Sequence, residues 1–131
     1  MDEKISGLYQ IYCTGDSAQA RQALEGIAAI AENGGERPVV KAWTMFLCYA
    51  RLYVLDARVG NEPTATLDFV KARYWYLRRA ELGGYDVKAA TEALSKVTPE
   101  RCVEMVDGYD KDPTNWKGPR YLAEIRGKSA P

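Results

Sequence analysis

The feature that most constrains this chain is a short internal repeat. Gly15-Asp16-Ser17-Ala18-Gln19-Ala20, followed by Leu24 and Ile27, returns as Gly60-Asn61-Glu62-Pro63-Thr64-Ala65, followed by Phe69 and Ala72. In both copies Gly and a capping residue close one helix and open the next. A small residue then sits five positions after the Gly, with apolar residues at nine and twelve. Two such turns describe two helical hairpins. Neither hairpin buries its apolar face alone, so they must stack.

Apolar residues recur at three and four positions along nearly the whole chain, and no β-pattern stands out. The spacing predicts a first helix from about 2 to 13, with Ile5, Leu8, Tyr9 and Tyr12 on one face and Gly15 ending it in the left-handed conformation. Asp16 and Gln19 stand in capping-box register for a second helix. That helix turns Ala20, Ala23, Leu24, Ile27, Ile30 and Ala31 inward and stops at Asn33. A third opens at Pro38 and runs to about Val59. It is apolar almost all round (Trp43, Met45, Phe46, Leu47, Tyr49, Leu52, Tyr53, Val54, Leu55), the mark of a helix enclosed by others. Only the stripe Lys41, Thr44, Arg51 and Arg58 is expected to meet water.

The fourth helix ends at Leu82, with Ala65, Phe69, Ala72, Tyr76 and Ala80 inward and Asp68, Lys71, Trp75, Arg78 and Arg79 on the other side. Two shorter helices follow, one from Asp86 to about Lys96 and one that Thr98 caps and Pro99 begins. A polar loop is expected over 107–115. Trp116, Tyr121, Leu122 and Ile125 suggest a last short helix that packs back, before a loose tail over 127–131. The length of 131 residues suits a single domain: hairpin one over about 2–33, hairpin two over about 38–82, and C-terminal helices over about 86–126.

These hairpins resemble the tetratricopeptide repeat. In the second copy Tyr49 and Leu52 stand in the helix A places, with Ala65, Phe69 and Ala72 in helix B. The first offers Leu8 and Tyr12, then Ala20, Leu24 and Ile27. The resemblance covers roughly residues 4 to 83. It implies an all-α, right-handed array of stacked antiparallel hairpins, six or seven helices in all.

Composition narrows the function classes. Lys plus Arg and Asp plus Glu both total 18, so neither nucleic acid nor an anionic membrane is the expected partner. The longest uncharged apolar stretch, 42–50, falls far short of the roughly 20 residues of a bilayer span. No leader pattern opens the chain. A soluble cytoplasmic protein is expected, with the mature part of an exported one as the alternative. Cys13, Cys48 and Cys102 are three and widely spaced, which favours buried thiols over a disulfide framework or zinc. Asp107, Asp110, Asp112 and Asn115 lack the spacing, the Gly and the closing Glu of a calcium loop. There is no histidine, so the commonest general base and metal ligand is missing. No phosphate loop or dinucleotide fingerprint is present. The expectation is a protein that is not an enzyme, with no catalytic residue, metal or cofactor.

The residues left to carry function are cations and aromatics. Lys71, Arg73, Trp75 and Arg79, with Arg51 and Arg58 of the third helix, are the candidate binding residues. They suit a protein or peptide partner, with an acidic one among the expected kinds, met by charge pairing and aromatic contact. The expected function is a non-catalytic binding or scaffold module. The alternative is a small-ligand domain with a pocket rimmed by Tyr49, Tyr53 and Tyr76.

Overall fold

The structure, a computed structural model, describes residues 3–110. All regular secondary structure among them is helical: α1 (Glu3–Thr14), α2 (Ser17–Asn33), α3 (Pro38–Arg58), α4 (Glu62–Leu82), α5 (Val87–Ser95) and α6 (Pro99–Asp110). The sequence-based expectations for the rest of the 107–115 loop, for Trp116, Tyr121, Leu122 and Ile125, and for the tail lie outside the described residues. The loop itself is expected too early, because α6 continues through Asp107 to Asp110.

The two repeat turns share an outline and differ in their physics. Asp16 accepts from the Gln19 backbone N–H at 2.9 Å, and the Gln19 side chain accepts from the Asp16 N–H at 2.9 Å, a complete capping box. Gly15 does not take the left-handed conformation expected of it. It is required for space: a Cβ there would stand 2.8 Å from the Ile11 carbonyl oxygen and 2.7 Å from the Gln19 Cβ. In the second turn the roles reverse. Gly60 has φ 85° and closes a Schellman motif, in which the Asn61 N–H donates to the Asp56 carbonyl at 2.8 Å. Asn61 makes no side-chain cap. Gly84, at φ 91°, ends α4 in the same way, with the Tyr85 N–H donating to the Ala80 carbonyl at 3.0 Å.

α3 lies at the centre, packed by α2, α4 and α6, while α1 covers α2 and α5 covers α4. Phe46, Leu52 and Leu55 are buried, as expected of a core helix. Trp43 is half-buried instead, with the Arg79 guanidinium 4.4 Å from its ring centroid. α3 and α4 run antiparallel in one register. Trp43 stands against Arg79, Phe46 against Tyr76 (5.1 Å between rings), Tyr49 against Lys71, Tyr53 against Phe69 (5.3 Å) and Asp56 against Asp68.

The small residues of the repeat are both fully buried: Ala20 and Ala65 expose none of their surface. Ala20 packs with Tyr12, Leu24, Leu52 and Leu55 where α1, α2 and α3 meet. Phe46 joins Ala50, Val54, Ala72, Val97, Cys102 and Val106 in the cluster that ties α3 to α4 and α6. Phe46→Ala should therefore cost about 3–5 kcal/mol by leaving a cavity. Ala20→Leu and Ala65→Leu should each cost about 1–3 kcal/mol by overpacking. Thermal melts followed by circular dichroism measure both effects. Phe46→Ala melting with wild type would remove α3 from the centre, and tolerance of both leucines would make the repeat a coincidence of spacing.

Candidate functional site

Among the described residues, one stripe of α3 has no covering helix, and it is the stripe read from sequence as the wet one. Lys41, Thr44, Arg51 and Arg58 are half-buried rather than open to water. Val40, Thr44, Leu47 and Arg51, at spacings of four, three and four, floor a trough of about 390 Å³. Ile5 and Tyr9 of α1 form one wall, Ile27 and Ala31 of α2 close the back, and Glu36, Lys41 and Arg51 mark its polar edge. A second hollow of about 420 Å³ adjoins it at the α2–α3 turn and shares Ile5, Ala31 and Glu36. The trough is lined mainly by apolar side chains with a few charges at its rim, whereas the adjoining hollow is of mixed polarity.

The six candidate binding residues do not share one surface. The Arg51 guanidinium lies 5.3 and 5.6 Å from the ring centroids of Tyr9 and Tyr12, tying α3 to α1 at the trough. Arg58 Nη2 donates to both carboxylate oxygens of Asp107 at 3.0 Å, tying α3 to α6. Arg73 Nη1 donates to the carbonyls of Leu94 at 3.1 Å and Val97 at 2.5 Å, satisfying the end of α5. Lys71 and Arg79 are exposed, but their cations rest over Tyr49 (5.4 Å) and Trp43 (4.4 Å) of α3. Trp75, read from sequence onto the polar side of α4, is half-buried against the clusters on both sides of α3. Of the six, only Arg51 lines the trough.

The three tyrosines of the alternative pocket are also separated. Tyr49 lines a cleft of about 290 Å³ between α2 and α4, Tyr76 lines a hollow of about 230 Å³ beside Val39 and Tyr85, and Tyr53 lines neither. In the α2–α4 cleft, burial raises the Tyr49 hydroxyl pKa first, and the charges of Glu32, Cys48, Asp68 and Glu25 raise it further.

Asp68 is a correction of another kind. Read from sequence onto the wet side of α4, it is 6% exposed, and Asp56 on α3 is 1% exposed. Arg21 of α2 pairs with Asp56 Oδ1, so one cation serves two carboxyls. Asp56 Oδ2 and Asp68 Oδ2 are buried, and no N–H or hydroxyl donor of a third residue reaches them. Two buried carboxyls in contact cannot both ionise cheaply, so Asp68 keeps its proton and donates it to Asp56. Burial, then the hydrogen bond and charge of Asp56, push the Asp68 pKa up to about 8 against the weaker pull of Lys71 and Arg21.

Burial holds two of the three thiols in the protonated form. Burial raises the Cys48 thiol to about 12 and the Cys102 thiol to about 11, with Arg51 and Arg73 opposing weakly. Cys13 is half-buried against the α1–α2–α3 cluster. Among the described residues no group of three or more His, Cys, Asp or Glu is placed to hold a metal ion, and no helix is long and apolar enough to cross a membrane.

Sequence reasoning missed Ile5, Tyr9, Val40, Leu47 and Cys48 as trough residues, and Arg21 and Asp56 as partners of Asp68. One signal was present. Val40, Leu47 and Cys48 alternate with Lys41, Thr44 and Arg51 along one face, a mixture that fits neither full burial nor open solvent. Comparison with protein-family models, with curated proteins and with solved structures finds no match.

The carboxyl pair makes stability depend on pH in a defined sense. The unfolded chain releases the Asp68 proton near the ordinary value of 3.8, whereas the folded protein holds it to about 8. Between those values the folded state binds more protons, so stability falls as pH rises from about 4 to 8, by at most about 1.4 kcal/mol per pH unit. Asp68→Asn should flatten this part of the profile. Urea unfolding at pH 5, 6, 7 and 8 reads the slope, and the same slope in both proteins would show that Asp68 ionises normally.

Proposed function

We propose that the protein is a non-catalytic binding module that holds an apolar, acidic peptide segment in the trough between α1 and α3. The observation that carries this reading is the trough itself, a largely apolar hollow along the stripe of the central helix that no other described helix covers. A segment laid there gains burial against Ile5, Val40 and Leu47, at about 25 cal/mol per Å² of apolar surface removed from water. Arg51 and Lys41 at the edge favour carboxylates on the incoming chain, and Glu36 confines that preference to one end. The two successive hairpins α1–α2 and α3–α4 and the resemblance of residues 4–83 to the tetratricopeptide repeat support the same reading. Separation of Tyr49, Tyr53 and Tyr76 weighs against the small-ligand alternative.

Displayed random peptides selected on the protein should be enriched in apolar residues with at least one Asp or Glu. Their affinity should fall as salt rises. Leu47→Arg, which sets a charge on the floor of the trough, should weaken a selected peptide at least tenfold. Val87→Arg on α5, where Val87 is 86% exposed, should leave it unchanged. Binding that survives Leu47→Arg and is lost with Leu67→Arg would move the site to the outer face of α4, where Leu67, Val70 and Tyr74 are exposed.

A further inference from the structure

The cleft of about 290 Å³ between α2 and α4 lies on the other side of α2 from the trough and stands independently of it. Glu25, Ala28, Ala29 and Glu32 make its α2 wall. Their spacing of three, one and three residues is one face of a helix over two turns. Asp68 and Lys71 of α4 stand opposite, and Tyr49 and Leu52 of α3 form the floor. Arg21 reaches Asp56, and Asp56 meets Asp68. Glu25, one turn beyond Arg21, therefore stands at the Asp68 end. Glu32 stands about 10 Å further along α2 at the helical rise. Between these acidic ends the surface is Ala28, Ala29 and the Tyr49 ring.

The cleft is short of positive charge. Among the described residues neither Glu25 nor Glu32 has an ion-pair partner. Asp68, 6% exposed, lines the cleft with a buried Oδ2 that no donor of a third residue reaches. Against these carboxyls Lys71 is the cation of the lining. Its ammonium lies 5.4 Å from the Tyr49 ring centroid, so the floor already takes an alkylammonium, supplied by the chain itself. The carboxyls are strung out rather than convergent, and among the described residues no three acidic groups are placed to hold one metal ion. Separated carboxyls with an apolar and aromatic floor between them match cationic groups carried on an alkyl chain. We propose that this cleft binds a linear alkyl polyamine, one terminal ammonium between Glu25 and Asp68, the methylenes over Tyr49, and the other terminal ammonium at Glu32. Lys71 leaves the Tyr49 ring to admit it.

The Asp68 end gives such binding a signature. Asp68 holds its proton up to about 8, because burial and the contact with Asp56 of α3 outweigh Lys71 on α4 and Arg21 on α2. An ammonium placed beside it favours the carboxylate, so the proton leaves for the buffer as the ligand enters. Affinity therefore rises with pH from about 6 to 8 and levels off above.

Calorimetric titration of the full chain with spermidine at pH 7, in phosphate and in Tris, counts the protons released. Saturable binding with release of most of one proton is expected, and Asp68→Asn should abolish the release. Glu25→Gln combined with Glu32→Gln, both at exposed positions, should weaken binding on the order of tenfold. Lys71→Met should tighten it. Spermidine affinity unchanged in the Glu25→Gln, Glu32→Gln protein would overturn the proposal, however the buried Asp68 variant behaves. Displacement of spermidine by magnesium at matched ionic strength would also overturn it, since that marks diffuse counterion attraction. Equal affinity for n-butylamine, which carries a single ammonium, would overturn the assignment to a polyamine.

Discussion

The whole arrangement depends on α3 having apolar side chains nearly all round. A helix of 21 residues with Ala42, Met45, Phe46, Cys48, Ala50, Leu52, Val54 and Leu55 buried needs neighbours on several sides at once. α2, α4 and α6 supply them. The hairpin order follows, because α2 and α4 are the elements next to α3 in the chain and short turns hold them antiparallel. The trough follows too. It is the remaining side of α3, where Thr44 and Arg51 interrupt the apolar surface and Leu47 is only partly buried by the cluster it packs against.

Charged side chains hold this arrangement together from inside. Arg58 joins α3 to α6, Arg73 satisfies carbonyls where α5 ends, and Arg21 joins α2 to the carboxyl pair between α3 and α4. Lys71 and Arg79 lie across the α3–α4 seam over aromatic rings, with their stems covering apolar surface. At exposed positions such contacts are individually weak, about 0.5–1 kcal/mol. The partly buried Arg58 and Arg73 bonds matter more for specificity, since each fixes one helix end against another. The Asp56–Asp68 pair is the most demanding of these contacts. It holds together only while a proton is shared, and so couples the α2–α3–α4 junction to pH.

Much of the fold was legible because its signals are local. The ends of α2, α3 and α4 were marked by Asp16, Asn33, Pro38 and Leu82, and the Thr98–Pro99 start of α6 was marked by cap and proline chemistry, with the Arg101 N–H donating to the Thr98 hydroxyl at 3.1 Å. Burial of Ala20, Ala65 and Ala72 follows from spacing alone. The site was less legible because it is defined by what other helices fail to cover. Basic and aromatic residues on α4 read as a binding face, yet the register with α3 places Tyr49 and Trp43 directly beneath Lys71 and Arg79. The same register buries Asp68, whose partner Asp56 is twelve residues away across a turn. Periodicity names the face of a helix and says nothing of which partner meets it.

The central claim is that the uncovered stripe of α3 is the protein's binding surface. Methyl-resolved NMR of the full chain, titrated with a peptide selected on it, tests this most directly. The account predicts that the methyl resonances of Ile5, Val40 and Leu47 shift together and saturate with the peptide, while those of Leu67 and Val70 stay in place. Shifts confined to Leu67 and Val70, with Ile5, Val40 and Leu47 unmoved at saturation, would contradict it.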